Sequence, residues 1–188
     1  VLPVVCLATL ATGIWLGTRL PLFIDALSPT ANGIVFDDPQ TINQFHLIDQ
    51  DERPFSADNF LGHWSLVYFG FSTCPKPCVN TLVKLQRLGE RLAANEKLSV
   101  QIIFVSVDSE RDTPEQIRDF LREIGPALIG VTGDVNQLRH LAAQLAAPFK
   151  IHTGAGDAYV VQPSENIVLV NPAAQFQAIL TPPHDMTR

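Results

Sequence analysis

The feature that most restricts how this chain can fold is a pair of cysteines placed directly after a long apolar segment. Residues 64–71 form a nearly continuous apolar run, as expected for a strand that is buried on both faces. Cys74 and Cys78 follow it, and apolar residues between 79 and 92 then recur with helical spacing. A strand that leads through two thiols into a helix indicates an α/β domain whose cysteines can close a disulfide or bind a soft metal ion.

Strands and helices alternate along the rest of the chain. Strands are predicted at 45–48, 100–107, 128–131, 167–170 and 176–180. Start signals predict one helix that begins at Thr113 and ends at Gly125, and another that runs from Asp134 to Ala147. This alternation predicts a three-layer α/β domain with a mostly parallel central sheet.

The first 24 residues differ from the rest in composition. The stretch 1–18 contains no charged residue, is almost entirely apolar or small, and is followed by Arg19. Its length is at the lower edge of what spans a bilayer. We interpret 1–24 as a single transmembrane anchor, with a cleaved signal peptide as the alternative, because no clear cleavage motif follows it.

The remaining sequence is long enough for one domain. We predict a linker and a short edge strand at 25–40, and a single folded domain at 41–188. The net charge of −6 argues against a nucleic-acid partner, and the sequence also contains no basic patch with interleaved aromatic residues. Only Cys74 and Cys78 lie outside the apolar first stretch, so they form a working pair rather than a disulfide framework. A tethered domain with such a pair is expected to face the oxidising side of the membrane.

The spacing of the pair suggests an activated thiol. We expect Cys74 to lie in the first turn of the helix, where free amide N–H groups and the helix dipole lower the pKa of a thiol. Lys76 adds positive charge, and Pro75 and Pro77 restrict the loop. A separation of four residues predicts that Cys74 and Cys78 share one helical face. The structural alternative is a pair of buried, unreactive cysteines. A zinc site would need two more ligands, and no second Cys or His pair occurs at the usual spacing.

Two motifs of the chain resemble those of the Sco/SenC family. They are Tyr-Phe-Gly-Phe-Ser-Thr-Cys-Pro-Lys-Pro-Cys at 68–78 and Val-Ser-Val-Asp-Ser-Glu-Arg-Asp-Thr-Pro at 105–114, and the resemblance extends over about 45–180. The family comprises membrane-anchored proteins that help to assemble the binuclear copper centre of cytochrome c oxidase. The resemblance implies a thioredoxin-like three-layer α/β/α domain behind one N-terminal transmembrane anchor. It also implies a location in the inner membrane, with the domain on the periplasmic or equivalent extracytoplasmic side.

In that family, two thiolates and one histidine hold copper, in keeping with the preference of Cu(I) for soft sulfur and imidazole donors. Cys74 and Cys78 match the two thiolates. Where the family has its histidine, just before a serine, this chain has Pro163, which offers no donor atom. His152 and His184 are the candidates for a substitute ligand, and each also fits an ordinary solvated histidine.

Pro163 also suggests a different chemistry. Thioredoxin-like redox proteins place a cis-proline beside their active thiols, just before the equivalent strand. A cis bond between Gln162 and Pro163 would bring the preceding carbonyl near the sulfurs and exclude a metal ligand. The hypothesis is a change from metal binding to thiol–disulfide exchange, and an ordinary trans-proline at the start of a strand is the alternative.

Three polar residues follow the predicted strand at 100–107, at the sheet edge where α/β sites collect. They are Asp108, Arg111 and Asp112. Asp108 could orient the cysteines, but the favoured interpretation is a helix-entry loop held by hydrogen bonds of these side chains.

The resemblance implies a Sco-like assembly factor that uses its CxxxC dithiol to deliver Cu(I), to reduce a client disulfide, or to do both. The client would be a cytochrome c oxidase subunit or another cysteine-bearing protein. Whether the chain is an enzyme stays open, because only the second activity is that of a thiol–disulfide oxidoreductase. The alternatives without copper are a general thiol–disulfide oxidoreductase and a peroxidase-like protein of the same fold. Thr73 beside Cys74 suits a peroxidase, but Cys78 is too near to be its partner cysteine.

Overall fold

The computed structural model describes residues 32–94, 98–125, 127–153 and 159–184. The predicted anchor at 1–24 and the first part of the predicted linker lie outside these ranges, and both stay predictions. Within these ranges, no helix is both long enough and apolar enough to cross a membrane.

The described residues contain ten strands in two sheets. They are β1 (Gly33–Thr41), β2 (Leu47–Asp49), β3 (Pro54–Phe55), β4 (Trp64–Gly70), β5 (Val100–Ser106), β6 (Leu128–Thr132), β7 (Lys150–Thr153), β8 (Tyr159–Gln162), β9 (Ile167–Asn171) and β10 (Gln175–Leu180). Eight of them form one sheet in the order β1-β10-β9-β4-β5-β6-β2-β3, whereas β7 and β8 pair only with each other. The predicted sequence pattern thus accounts for the central strands but missed the β7–β8 pair.

The expectation of a mostly parallel sheet was wrong. Only the β4–β5 and β5–β6 pairs are parallel, and the other strand pairs of the large sheet are antiparallel. A parallel connection needs a crossover of about a dozen residues, which helices supply after β4 and after β5. The connection between β9 and β10 has only three residues, 172–174, which is too short for such a crossover, so these two strands pair antiparallel. The other neighbour of β9 is β4, and this pair is antiparallel as well.

Three helices cover the large sheet in the described part of the chain. They are α1 (Lys76–Ala93), α2 (Pro114–Ile124) and α3 (Val135–Gln144). The predicted caps of the last two are confirmed, because Thr113 forms a capping box with Gln116, and Asp134 accepts hydrogen bonds from two backbone N–H groups of the first turn. The last helix ends before the predicted Ala147, since Ala146 has a φ of 48°, which no helix accommodates.

The alternation of side chains along β4 separates two apolar layers. Leu66 and Tyr68 pack in one cluster with the buried residues of α1 and α2, whereas Val67 and Phe69 pack in the other with those of α3. Each fully buried side chain of this kind contributes about 1.5–3 kcal/mol. The sheet therefore lies between helices on both faces, and the predicted three-layer α/β/α domain is confirmed.

Candidate functional site

The two cysteines of the motif are joined. Cys74 and Cys78 form a disulfide, with their Cα atoms 6.0 Å apart. The Cys78 side chain is 7% exposed, whereas Cys74 is only half-buried. The sulfur of Cys74 is therefore the one that a partner can approach.

The position of Cys74 relative to α1 differs from the expectation. The helix begins at Lys76 with Pro75 as its N-cap, so Cys74 precedes the cap and shares no helical face with Cys78. The sulfurs meet because the chain turns back, with the Cys74 N–H donating to the carbonyl oxygen of Phe71 at 3.1 Å. No side chain caps this helix end, so its amide groups still favour negative charge nearby. The lowered pKa expected for Cys74 concerns the reduced form and stays a prediction.

A glycine at the end of β4 leaves space for the disulfide. A Cβ atom on Gly70 would lie 3.3 Å from the sulfur of Cys78 and 2.8 Å from Cε2 of Phe104. The second distance is shorter than real carbon contacts allow. Gly70 therefore lets the buried sulfur and the Phe104 ring pack together against the strand.

A buried carboxyl group holds the loop that carries Cys74. Asp112, which is 1% exposed, accepts hydrogen bonds from the backbone N–H of Ser72 at 2.7 Å and from its hydroxyl at 2.5 Å. It also accepts a hydrogen bond from the hydroxyl of Ser106, at 2.5 Å, at the end of β5. Asp112 thus ties the loop after β4 to the next strand, which confirms the interpretation of this segment as a hydrogen-bonded helix-entry loop.

Asp108, Arg111 and Tyr159 form a second group, which we call the Asp108 cluster. Arg111 donates a hydrogen bond from Nε to Oδ2 of Asp108 at 2.7 Å, and a terminal guanidinium nitrogen of Arg111 lies 2.6 Å from the same oxygen. The Tyr159 hydroxyl donates to the other carboxyl oxygen of Asp108, and the Arg111 guanidinium lies 4.2 Å from the centre of the Tyr159 ring. Burial, the hydrogen bond to Asp108 and the charge of that carboxylate raise the pKa of Tyr159 to about 12. No local sequence pattern pointed to Tyr159, because its contact with Asp108 joins residues far apart in the chain.

A cavity of about 610 Å³ opens beside the disulfide. Its lining residues are Tyr68, Phe71, Cys74, Pro75, Pro77, Cys78, Thr81, Lys84, His152, Val160, Val161, Gln162, Pro163, Glu165, Pro182 and His184. Both cysteines and both candidate histidines thus share one cavity, although they come from three separate parts of the chain. Burial raises the pKa of Tyr68, which lies in its wall.

The two histidines of the cavity have different surroundings. His184 donates from Nε2 to the carbonyl oxygen of Glu165 at 2.8 Å, and Lys84 donates to the carbonyl oxygen of His184 at 3.0 Å. His152 is exposed on β7. His184 is therefore held in place by the protein, whereas His152 faces solvent at the rim.

The hypothesis of a cis-proline beside the thiols was wrong. Among the described residues the cis peptide bond joins Pro182 and Pro183, so the bond between Gln162 and Pro163 is trans. Pro163 follows β8 as an ordinary proline that bounds a strand, although its side chain does line the cavity.

The donor atoms of the site do not match a three-ligand copper site. In the described part of the chain, no group of three or more His, Cys, Asp or Glu side chains is arranged to hold a metal ion. Reduction of the disulfide would release two soft sulfur donors, which suit Cu(I), and Pro163 supplies no third. The residues present therefore fit a two-sulfur site and not the Cys₂His site that the resemblance implies.

Comparison with known proteins gives a consistent result. The family model described as SCO1/SenC matches residues 36–188. A protein of Stutzerimonas stutzeri that is named for copper binding is 33% identical over 159 residues, which are 85% of this chain and 78% of that protein. The chain spans only about half the length of the mitochondrial SCO relatives that it also matches.

Solved structures are similar over most of the domain. The crystal structure of Arabidopsis thaliana ScoI with copper bound has a TM-score of 0.69 and 30% identity, and the match covers 77% of this chain and 89% of that one. BsSco, described as a member of the Sco family of cytochrome c oxidase assembly proteins with a disulfide switch, has a TM-score of 0.59 and 25% identity. That match covers 78% of this chain and 85% of BsSco. The thioredoxin-like fold thus has counterparts of known structure.

Proposed function

Because the chain belongs to the SCO1/SenC family, we propose that it assists the assembly of the copper centre of cytochrome c oxidase by reducing a disulfide of a cysteine-bearing client. The reacting groups are Cys74 and Cys78. The family supports the general role, since BsSco is described as a cytochrome c oxidase assembly protein. The choice of thiol–disulfide exchange over metal carriage comes from the site itself.

The observation that carries this choice is the unequal exposure of the two cysteines, in a site where no third donor among the described residues is arranged with the two sulfurs. Cys74 is reachable from the cavity, whereas Cys78 is buried beside it. An accessible attacking thiol backed by a protected second thiol is the arrangement that disulfide exchange requires. Pro163, where the family has a histidine, removes the ligand that would favour tight copper binding.

The exchange proceeds in two balanced steps. The reduced Cys74 thiolate attacks one sulfur of the client disulfide, forms a mixed disulfide and releases the other client sulfur as a thiolate, which takes up a proton. The Cys78 thiolate then attacks the Cys74 sulfur and releases the second client thiolate. The client gains two electrons and two protons, and the chain is left as the Cys74–Cys78 disulfide. A dithiol protein must then reduce that disulfide before another cycle.

Trapping of the mixed disulfide tests the proposal. The reduced full chain is expected to reduce a disulfide-bonded peptide, and Cys74→Ser is expected to lower the rate to the uncatalysed background. Cys78→Ser should instead accumulate one covalent adduct between Cys74 and the peptide, visible by mass spectrometry. An adduct that forms equally on both single variants, or on neither, would contradict the assigned roles.

A second candidate function, transport of Cu(I), is favoured by the copper-bound structure of the Arabidopsis relative and by the two histidines in the cavity. Copper would then be the cargo, held by the thiolates of Cys74 and Cys78. Titration of the reduced full chain against a chromophoric Cu(I) chelator separates the two functions. If reduction is the main activity, we expect weak binding that depends on both cysteines and is unchanged in His152→Ala and His184→Ala.

The cellular location belongs to the same proposal. The apolar stretch 1–18 would tether the domain to the inner membrane or an equivalent membrane, with the cysteines on the extracytoplasmic side. An oxidising compartment explains why a client would arrive with its cysteines joined. Labelling of intact cells with an impermeant thiol reagent after mild reduction should therefore modify Cys74.

A further inference from the structure

One part of the cavity wall is built by the β7–β8 pair, which is separate from the large sheet. His152 of β7 lies across from Val160 of β8 in the strand register. Both side chains line the cavity together with Gln162. This wall carries none of the sulfur chemistry, so its side chains are available for another role.

Alternate side chains of β8 have opposite environments. Val161 is 5% exposed, and both it and Tyr159 pack on the apolar core that contains α3. Val160 points to the other face and is 65% exposed, more than any other large apolar side chain in the described residues. Because Val160 lines the cavity beside the disulfide, this exposed side chain can contact an occupant of that cavity.

The Asp108 cluster fixes this wall to the domain. The Tyr159 hydroxyl donates to Asp108, which is 2% exposed and lies in the loop after β5, and Arg111 packs over the Tyr159 ring. The neighbour of Val160 is therefore anchored by a hydrogen bond and a cation–π contact. Val160 is consequently presented at a set position rather than on a loose strand.

The chemical character of the cavity defines what fits between the wall and the disulfide. Phe71, Pro75, Pro77 and other lining side chains are apolar, and the charged lining residues, Lys84 and Glu165, have opposite signs. Lys84 is also engaged by the carbonyl oxygen of His184. A cavity of about 610 Å³ with this lining has room for a few side chains and favours neutral apolar ones.

We infer that Val160 and the β7–β8 wall form a docking surface that selects clients in which a large uncharged apolar residue is next to the reacting cysteine. This inference deepens the proposed function and rests on it. Because the disulfide and Val160 line the same cavity, a client whose sulfur reacts at Cys74 places its neighbouring residues close to the β7–β8 wall. Val160 is thus a specificity-determining residue that takes no part in the bond exchange.

Binding of peptides to the oxidised full chain tests this inference without any thiol step. Fluorescent peptides carry serine in place of the client cysteine, with either leucine or serine as its neighbour. We expect the leucine peptide to bind about tenfold more tightly, as burial of one large apolar side chain predicts. Peptides with aspartate or lysine at that place should bind no better than the serine peptide.

Two chain variants locate the effect. Val160→Ser is expected to remove most of the preference for leucine, whereas Leu61→Ser should leave it unchanged, since Leu61 is 51% exposed but lines a separate cavity. Equal binding of the leucine and serine peptides would overturn the inference. A preference that survives Val160→Ser, or that Leu61→Ser removes equally, would overturn it as well.

Reduction of a small-molecule disulfide separates this inference from the proposed function. If the chain reduces small-molecule and peptide disulfides equally well, whichever residue neighbours the client cysteine, the proposed function is supported and the docking surface is contradicted. If the chain binds leucine peptides selectively but reduces no disulfide, the docking surface is supported and the proposed function is contradicted.

Discussion

At the scale of single residues, the site depends on Asp112 as much as on the cysteines. Its carboxyl group holds both the backbone and the side chain of Ser72, two residues before Cys74, and also the hydroxyl of Ser106. Because Asp112 is almost fully buried, loss of the carboxyl group would leave these donors without a partner away from water. The loop that carries the reactive sulfur would then lose its connection to β5.

Asp112→Ala is therefore expected to lower the free energy of unfolding by about 2–4 kcal/mol, as for a buried charged group that accepts several hydrogen bonds. It should also speed hydrogen exchange of the Ser72 and Cys74 amides. Denaturant unfolding and exchange measured by mass spectrometry test both effects. Asp119→Ala is the matched control, because Asp119 forms an exposed ion pair with Arg122 and its loss should change stability by less than about 0.5 kcal/mol. Equal effects of the two substitutions would refute the role of Asp112.

At the scale of secondary structure, elements from distant parts of the chain meet at the cavity. The start of α1 supplies Cys78, β8 supplies Val160 and Gln162, and the segment after β10 supplies His184. Of these, β8 is not hydrogen-bonded to the large sheet and is attached through the Asp108 cluster. The position of one cavity wall therefore depends on the protonated hydroxyl of Tyr159.

The raised pKa of Tyr159 predicts how this attachment responds to pH. A folded-state value of about 12, against about 10 when unfolded, means that the neutral phenol stabilises the folded state. This contribution is fully present below pH 10 and is lost as the pH rises through about 12. The chain has only two tyrosines, so Tyr68→Phe leaves Tyr159 as the sole phenol.

Ultraviolet titration of Tyr68→Phe should show phenolate formation near pH 12 in the folded protein and near pH 10 in urea. Arg111→Ala, added to this variant, removes a positive charge that lowers the pKa of Tyr159. Loss of that charge should therefore shift the phenolate transition of the folded protein upward in pH, if it shifts it at all. A transition at pH 10 in the folded Tyr68→Phe protein would show that Tyr159 is not bonded to Asp108.

At the scale of the whole molecule, we expect the fold to persist when the disulfide is reduced. The two apolar clusters on either face of the large sheet contain most of the buried side chains. The disulfide involves only Cys78, which belongs to one cluster, and Cys74, which packs against that cluster. A bond between residues four apart closes a very short loop, so it removes little entropy from the unfolded chain. A protein that cycles between dithiol and disulfide needs both forms folded.

Reduction of the full chain is thus expected to lower its free energy of unfolding by no more than about 2 kcal/mol, as the loop-entropy relation gives for so short a loop. Urea unfolding with and without a strong reductant should give cooperative transitions in both cases. The double variant Cys74→Ser and Cys78→Ser is the control, and its transition should lie near that of the reduced chain. Loss of a cooperative transition on reduction would exclude a cycle between two folded states.

The sequence by itself determined those features that arise from neighbouring residues. The apolar run of β4, the spacing in α1 and the start signal at Thr113 predicted elements that are present, because periodicity and capping act within a few residues. The cysteine motif likewise identified the pair that forms the disulfide, and it pointed to the family.

Only the tertiary structure decided the features that join distant parts of the chain. Strand direction depends on the length of each connection and on which strands become neighbours, so β9 and β10 reverse the expected parallel order. The contact of Tyr159 with Asp108 spans 51 positions and the cavity gathers residues from 68 to 184, which no local pattern encodes. The isomer at Pro163 was also beyond the sequence, since a proline tolerates either one at small cost, and the structure has the trans form.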